Sequence, residues 1–545
     1  MRVPDLSEIE PIFKEFTEKG PGCCLGIYVD GQVVLAQGFG LANLEHRVPI
    51  TPDTVFDLAS TSKQFTAASV LLLAEDGALG LDDDVRKYFP EFVLDQAITI
   101  RQLINHTSGL REIYSLAAMV GWTWPELMED DQVVALLAKT RTLNFEPGTA
   151  HSYSNSGYVL LSALVKRVSG KSLADFAKER IFDPLGMGVT HYRDDITSVV
   201  PNRANGYGKS PKGEEYKLNE SPSNITGDGA AQTTIHDLAG WESNFVRPVI
   251  GNESFRKNQL ATAELPDGAD TGYAAGLFVA KYKGLPSVSH GGAWAGFRSD
   301  YVRFPESGLA VAVFANLAGA NPSALAHRVA DLCLADEIDA AAGRKANSSE
   351  AGDAVDGSAP SAEEPTHELA EVTAAVCEGL YGDGASFVRI VTEGDGLIVH
   401  AAGMELSATR ATPGVFTTSA LGLTLAFTGT AGEPEGIVVK QGEQVVWTLP
   451  RVAETKVSDE EAQELDGEYR CDEVEGTWNV VATSAGVRID RTPPREPLEF
   501  TFGPTDVLLG PGFNVSIERA KDGTPVALLA SDSRAKGLRF ERVPS

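Results

Sequence analysis

Hydrophobic positions in the first part of the chain follow two rhythms. Ile9, Ile12, Phe13 and Phe16 recur at helical spacing, and Ser7-x-x-Glu10 ahead of them reads as a capping box. From 26 to 36, two apolar runs flank Asp30-Gly31, which predicts a hairpin with a tight turn. Ala67, Ala68, Leu71 and Leu72 then share a helical face, in a helix that opens at Ser60 and closes at Gly77. Between about 80 and 260, helical stretches alternate with loops punctuated by Gly170, Pro184 and Gly186. Strand patterns return at about 272 to 316, where 298–304 and 309–316 flank the turn Pro305-Glu306-Ser307-Gly308. Leu325, Val329 and Leu332 predict a closing helix. Strands at both ends of this span, with helices between, predict one sheet built from the two ends.

The texture changes after that. Residues 337–367 are dominated by Ala, Ser, Gly, Asp, Glu and Pro and read as a flexible acidic linker. Beyond it, short strands such as 386–392, 396–400 and 423–427 recur between Gly-containing turns. A weak repeat is visible. Leu380-Tyr381-Gly382-Asp383 resembles Leu465-Asp466-Gly467-Glu468-Tyr469, and the two units end in Arg451-Val452 and Arg542-Val543. Two units of this size predict two small antiparallel barrels. The expected domains are therefore 1–336, the linker 337–367, and barrels at 368–455 and 456–545.

Length supports this division, because 545 residues exceed what one core usually holds. The 43% hydrophobic content is that of a globular chain, and the net charge of −30 disfavours nucleic acid and anionic membrane surfaces as partners. The N-terminus turns acidic at once, with no apolar segment of a secretory signal, and no stretch approaches the length of a membrane span. Five cysteines, two of them adjacent at Cys23-Cys24, show no metal-ligand spacing. Buried free thiols, a cytoplasmic location, and neither metal nor cofactor are the expectations.

Candidate chemistry sits in three motifs in order: Ser60-Thr61-Ser62-Lys63, Tyr153-Ser154-Asn155 and His290-Gly291-Gly292. Ser-x-x-Lys places a hydroxyl and an amine one helical turn apart, on one face. A hydroxyl becomes a nucleophile when a neighbouring base takes its proton. A phenolate at Tyr153, favoured by the nearby Lys63 charge, is one candidate base and Lys63 itself the other; the sequence leaves that choice open. Ser254-x-x-Lys257 and Ser533-x-x-Lys536 repeat the first motif without a following Tyr-x-Asn, and read as solvated surface.

The ordered set resembles the serine β-lactamase and penicillin-binding-protein-like group, class C type, over roughly 10–335. Leu103 to Leu110 (Leu-Ile-Asn-His-Thr-Ser-Gly-Leu) and Phe145-Glu146-Pro147-Gly148 match that group's loops. The layout, a catalytic domain followed by two barrels, is similar to that of bacterial D-stereospecific aminopeptidases. The resemblance implies a multi-domain chain. An α/β β-lactamase-like domain, with an antiparallel sheet flanked by helices and a helical subdomain, would precede two lipocalin-like barrels. It makes Ser60 the nucleophile, with Lys63 and Tyr153 sharing acid–base work. Asn155 would hold the substrate carbonyl. The N–H groups of Ser60 and Ala293, the latter after Gly292, would form the oxyanion hole.

His290 stands where many members of that group carry Lys. A histidine is only partly charged near neutral pH, so recognition of a substrate carboxylate is expected to weaken. Asp228, in Thr226-Gly227-Asp228-Gly229-Ala230, is a candidate partner for a substrate ammonium, with an Asx-turn as the plain alternative. Glu146 is expected to stabilise a turn, and His106 and His151 to be satisfied structural histidines. The stretch 491–497 in the last barrel would correspond to a loop covering the active site. The expected function is a metal-independent serine hydrolase working through an acyl-enzyme, releasing N-terminal D-amino acids from small peptides, amides or esters. An esterase or acyl-transferase on the same machinery, a D-Ala-D-Ala carboxypeptidase or β-lactamase, and a degenerate scaffold that only binds are the rivals. A homodimer is the working expectation for assembly.

Overall fold

In the computed structural model, the described residues are all except 122–128, 211–212, 214, 222, 351–372, 385, 402–403, 419–422, 431–432, 442–443, 456, 485, 493–495 and 545. The chain forms two compact units, Met1–Leu110 with Trp124–Ala354, and Arg111–Thr123 with Val355–Ser545.

The first unit is organised by a six-stranded antiparallel sheet. Its strands are β1 (Cys23–Val29), β2 (Gln32–Phe39), β3 (Phe278–Tyr282), β4 (Leu285–Trp294), β5 (Phe297–Phe304) and β6 (Leu309–Ala315), in spatial order β3-β4-β5-β6-β1-β2. The two ends of the catalytic span thus meet where β1 pairs with β6, in register Leu25↔Val313 and Ile27↔Val311. The β1–β2 hairpin turns at Asp30 and Gly31, both at positive φ, as a tight two-residue turn requires. Period-two alternation divides the sheet. Cys23, Leu25, Ile27, Val311 and Val313 pack with Ile9, Phe13 and Phe16 on one face. The N-terminal helix is capped by Asp5 with Glu8, not by the Ser7–Glu10 pair expected, so it spans Leu6–Ile9.

Three helices support the site. The first, α1 (Lys63–Glu75), is buried without a break from Lys63 to Leu73, which marks a central helix rather than a surface one. Asp130–Ala138 (α2) and Asn155–Ser169 (α3) lie on one side, with Asn155 to Val165 buried. Ile235–Val246 (α4) covers the sheet's other face. There Tyr28 Oη donates to Ile235 O at 2.7 Å, and a Cβ on Gly26 would come within 2.6 Å of Ile235. The fully buried Glu242 of α4 takes Arg303 Nε of β5 at 2.9 Å, together with Tyr301 Oη.

Pro322–Cys333 (α5) is the closing helix read from Leu325 and Val329. The next sixteen residues are also helical, Ala335–Glu350 (α6), where the linker was expected to begin. Asp336 and Glu337 complement the positive helix N-terminus, and the alanines beyond them are strong helix formers; low hydrophobicity alone did not reveal this. The rest of the expected linker, through 367, lies outside the described residues.

The second unit holds two closed eight-stranded antiparallel barrels in sequential strand order, as the repeat predicts. The first runs from Gly379–Gly382 to Gln444–Val452, the second from Gly467–Cys471 to Leu538–Arg542. Both rings close alike. Tyr381 pairs with Arg451 and Tyr469 with Arg542. Each tyrosine hydroxyl donates to the carbonyl four residues earlier, Cys377 at 2.9 Å and Leu465 at 3.0 Å. Each arginine lies over its tyrosine ring and donates to a carbonyl just before the first strand, Glu378 or Asp466.

One segment departs from the expected domains. Arg111–Thr123, inside the expected catalytic span, belongs to the second unit. Buried Arg111 pairs with Glu473 at 2.7 Å and donates to the carbonyls of Lys536 and Gly537. Trp478 Nε1 and Arg491 Nη1 donate to the carbonyls of Met119 and Ala118 in the helix Ile113–Val120. Its apolar residues would fit any buried helix, so the sequence does not say which core takes them. Of the expected covering loop at 491–497, residues 493–495 lie outside the described residues.

All five cysteines are buried free thiols, as expected. Among the described residues, no helix is long and apolar enough to cross a membrane.

Candidate active site

Ser60 lies in a 3-10 turn, Ala59–Ser62, that runs directly into α1. The turn, rather than the α-helix expected to open here, sets the Ser60–Lys63 relation, since three residues per turn bring positions three apart into line. Ala59, just before Ser60, has φ of 48°. A left-handed alanine is strained, and Asp57 Oδ1 holds it by accepting its N–H at 2.8 Å.

Lys63 is fully buried. Its ammonium donates to Ser60 Oγ at 3.1 Å, Asn155 Oδ1 at 2.7 Å and the backbone carbonyl of Asp228 at 2.6 Å. Each of these oxygens can accept an N–H bond, and such acceptors favour an ammonium in a buried place. Nζ also sits 5.0 Å from the centre of the Tyr153 ring. The structure therefore brings Ser60, Lys63, Tyr153 and Asn155 together from two distant segments, the start of α1 and the approach to α3.

Strand β4 closes the opposite side. Thr61 Oγ1 donates to His290 O at 3.0 Å and lies 2.9 Å from Ser299 Oγ, which donates to Leu58 O at 2.6 Å. These bonds press β4 onto the turn so closely that a Cβ on Gly292 would lie 2.2 Å from Leu58 O. Glycine is needed there, and Ala293 comes next, on the exposed side of the strand. The backbone N–H groups of Ser60 and Ala293 belong to these two adjoining pieces.

His290 is only 2% exposed. Its Nδ1 lies 2.6 Å from Gly291 O and its Nε2 3.0 Å from Tyr273 Oη. A proton on Nδ1 satisfies the carbonyl and leaves Nε2 to accept from the tyrosine, so these neighbours suit the neutral ring. Burial, and then the charge of Lys63, lower its pKa to about 3. The partial positive charge expected at this position is therefore absent; the sequence showed the residue type but not its burial. Sequence reasoning does not find Tyr273, which is fully buried and held by Asn105 Nδ2 on its carbonyl at 2.8 Å. It lies in an irregular loop with no motif around it.

Asp228 reaches the site through its main chain, as the carbonyl on Lys63, and the residue is 7% exposed. His106 Nδ1 accepts from Ser154 N at 3.2 Å, and the ring lies 4.2 Å from that of Tyr153. His151 is not the satisfied histidine expected, since its Nε2 is buried without a hydrogen-bond partner among the described residues. Glu146 makes its turn through its carbonyl, which takes both the N–H and the hydroxyl of Thr149. Ser254, Lys257, Ser533 and Lys536 are exposed, as the reading of surface requires. Among the described residues, no cluster of metal-ligating side chains occurs.

Comparison with known proteins agrees with this geometry. The Beta-lactamase family model matches residues 9–336. A D-aminopeptidase of Gluconobacter oxydans is 29% identical over 477 residues, 86% of this chain and 83% of that protein. A D-aminopeptidase of Brucella anthropi is 32% identical over 298 residues, 54% of this chain and 56% of its own length, so this match spans little more than half of that relative. Among solved structures, the octameric penicillin-binding protein homologue of Pyrococcus abyssi superposes with a TM-score of 0.58 at 24% identity, covering 82% of this chain and all of the other, which speaks to the fold. With its sheet, its Ser-x-x-Lys motif and its family model in agreement, the chain belongs to the Beta-lactamase family.

Proposed function

We propose that this chain is a serine hydrolase that forms an acyl-enzyme on Ser60 and releases N-terminal D-amino acids from small peptides, amides or esters. The machinery is supported by Lys63, whose ammonium touches Ser60 Oγ, Asn155 and the Asp228 carbonyl at once. Ser60 attacks the carbonyl, and its proton passes to the Tyr153/Lys63 pair. The oxyanion rests on the N–H groups of Ser60 and Ala293. Tyr153 and Lys63 then return a proton to the leaving amine, and water attacks the ester on Ser60 to complete the turnover.

The observation that carries the substrate class is the match to the Gluconobacter D-aminopeptidase, which runs through most of both chains. Neutral His290 supports it, since it offers no fixed charge to a substrate carboxylate as a carboxypeptidase site would need. In this reading Asp228 receives the substrate's free ammonium, and Asn155 and Gly292 line the carbonyl site. A homodimer stays the working assembly, open to a mass measurement by light scattering.

The test is p-nitroaniline release from D-alanine p-nitroanilide and from its N-acetylated analogue, with Ser60→Ala as blank. Release from the free amine only supports an aminopeptidase. Equal rates, or no amide cleavage, would replace it with the esterase or acyl-transfer reading.

A further inference from the structure

The carbonyl that holds Lys63 belongs to a loop with an anchor of its own. Thr226 precedes Gly227 and Asp228, and is fastened at two points to the carboxylate of Asp130. Thr226 N donates to Oδ1 at 2.8 Å and its hydroxyl to Oδ2 at 2.7 Å. Ser162 of α3 donates to the same Oδ2 at 2.6 Å. Asp130 is the first residue of α2, so one carboxylate joins α2, α3 and the loop.

Beyond this anchor the backbone has little freedom. Gly227 has φ of 91°, and a Cβ there would meet Tyr158 O at 2.3 Å and Ser162 Cβ at 2.8 Å. The loop therefore lies flat on α3 with no room to shift toward it. From that position two successive carbonyls point at α1: Gly227 O takes Thr66 Oγ1 at 2.6 Å, and Asp228 O takes Lys63 Nζ at 2.6 Å. The hydrogen bonds to the Asp130 carboxylate come from the loop and from α3, so its place in the fold is to tie the two together. Desolvation raises its pKa to about 6, so above that pH it accepts all three bonds as a carboxylate.

We propose that Asp130 is a positioning residue for catalysis: through Thr226 it fixes the 226–228 loop, and so sets where, and against which acceptor, Lys63 presents its amine to Ser60. This rests on the assignment of Ser60 and Lys63 as the reacting pair, but not on the substrate class.

Its test is the pH dependence of covalent labelling of Ser60 by a fluorophosphonate, with Ser60→Ala as blank and thermal unfolding recorded alongside. Asp130→Asn keeps the shape and replaces an acceptor with a donor. It should slow labelling of the folded protein by about tenfold and shift the pH midpoint of the labelling rate. Thr226→Val removes one of the two bonds to the loop and should give a smaller loss in the same direction. Thr226→Ser, which keeps the hydroxyl, should restore near-normal labelling. Lowered melting temperature with an unchanged labelling rate and midpoint in both Asp130→Asn and Thr226→Val would overturn the inference and leave Asp130 a structural residue. Absence of Ser60-dependent labelling in the wild-type protein would remove the reacting pair, and this inference with it.

Discussion

The two walls of the site handle burial in opposite ways. On one, the amine of a fully buried lysine is met by Ser60 Oγ, Asn155 Oδ1 and the Asp228 carbonyl; on the other, burial and the neighbouring Lys63 hold a buried histidine neutral, with a carbonyl and a tyrosine hydroxyl against its two ring nitrogens. The residues are alike in being basic and buried, and they differ in what surrounds them. Desolvation disfavours the charged form of any buried base, and hydrogen-bond acceptors around it oppose that push.

The sharpest way to break the contrast is at the charged wall. Lys63→Met should lower kcat/KM for D-alanine p-nitroanilide by at least about a thousandfold, since proton transfer and the site's cation go together. Retention of even a tenth of the activity in steady-state assays would move the acid–base work elsewhere. Next in size is His290→Lys, which places a second cation in that buried space. A loss of about tenfold or more in kcat/KM is expected, with a smaller loss in neutral His290→Gln. Equal losses would show that neutrality at 290 is unimportant.

The neutral wall also predicts a dependence on pH. His290 is held at about 3, below its usual 6.5, so the unfolded chain takes up a proton that the folded one refuses. Its contribution is present above about 6.5 and is lost as pH falls toward 3, amounting to about 2 kcal/mol by pH 5. Urea unfolding of wild type and His290→Gln at pH 7 and pH 5 should show a steeper decline in the wild type. His151 and His327 are lowered by burial as well, but they are common to both proteins. Parallel declines would mean that His290 titrates normally. The smallest effect belongs to Tyr273→Phe, which removes one hydrogen bond and leaves Nε2 unpaired, at a cost of about 1–3 kcal/mol in unfolding free energy. An unchanged value would separate the tyrosine from the histidine.

Much of the site could be read from residue order alone. The structure brings Ser60, Lys63, Tyr153 and Asn155 together as their motif order leads one to expect, and the hairpin at Asp30-Gly31 is local turn chemistry. The barrels were legible because each repeats a short closing signature at Tyr381 with Arg451 and Tyr469 with Arg542. What could not be read depends on distant partners. The neutrality of His290 depends on its burial beside Lys63, and the role of the 226–230 loop on carbonyls that have no sequence signal. Arg111 and the helix Ile113–Val120 look like part of the catalytic span until Glu473, Trp478 and Arg491 are seen to hold them. The helix Ala335–Glu350 was hidden by composition, since alanine and acidic residues serve a linker and a helix equally well.

The matched Tyr–Arg closures have a consequence for the chain as a material. Sheets with exposed rims are templates on which other chains add strands, and proteins rich in strands usually defend those rims with charge, proline or bulges. Here each ring joins its last strand to its first, so among the described residues neither barrel presents an unpaired rim. Sixteen strands can then be carried in tandem without offering a site for growth into fibres.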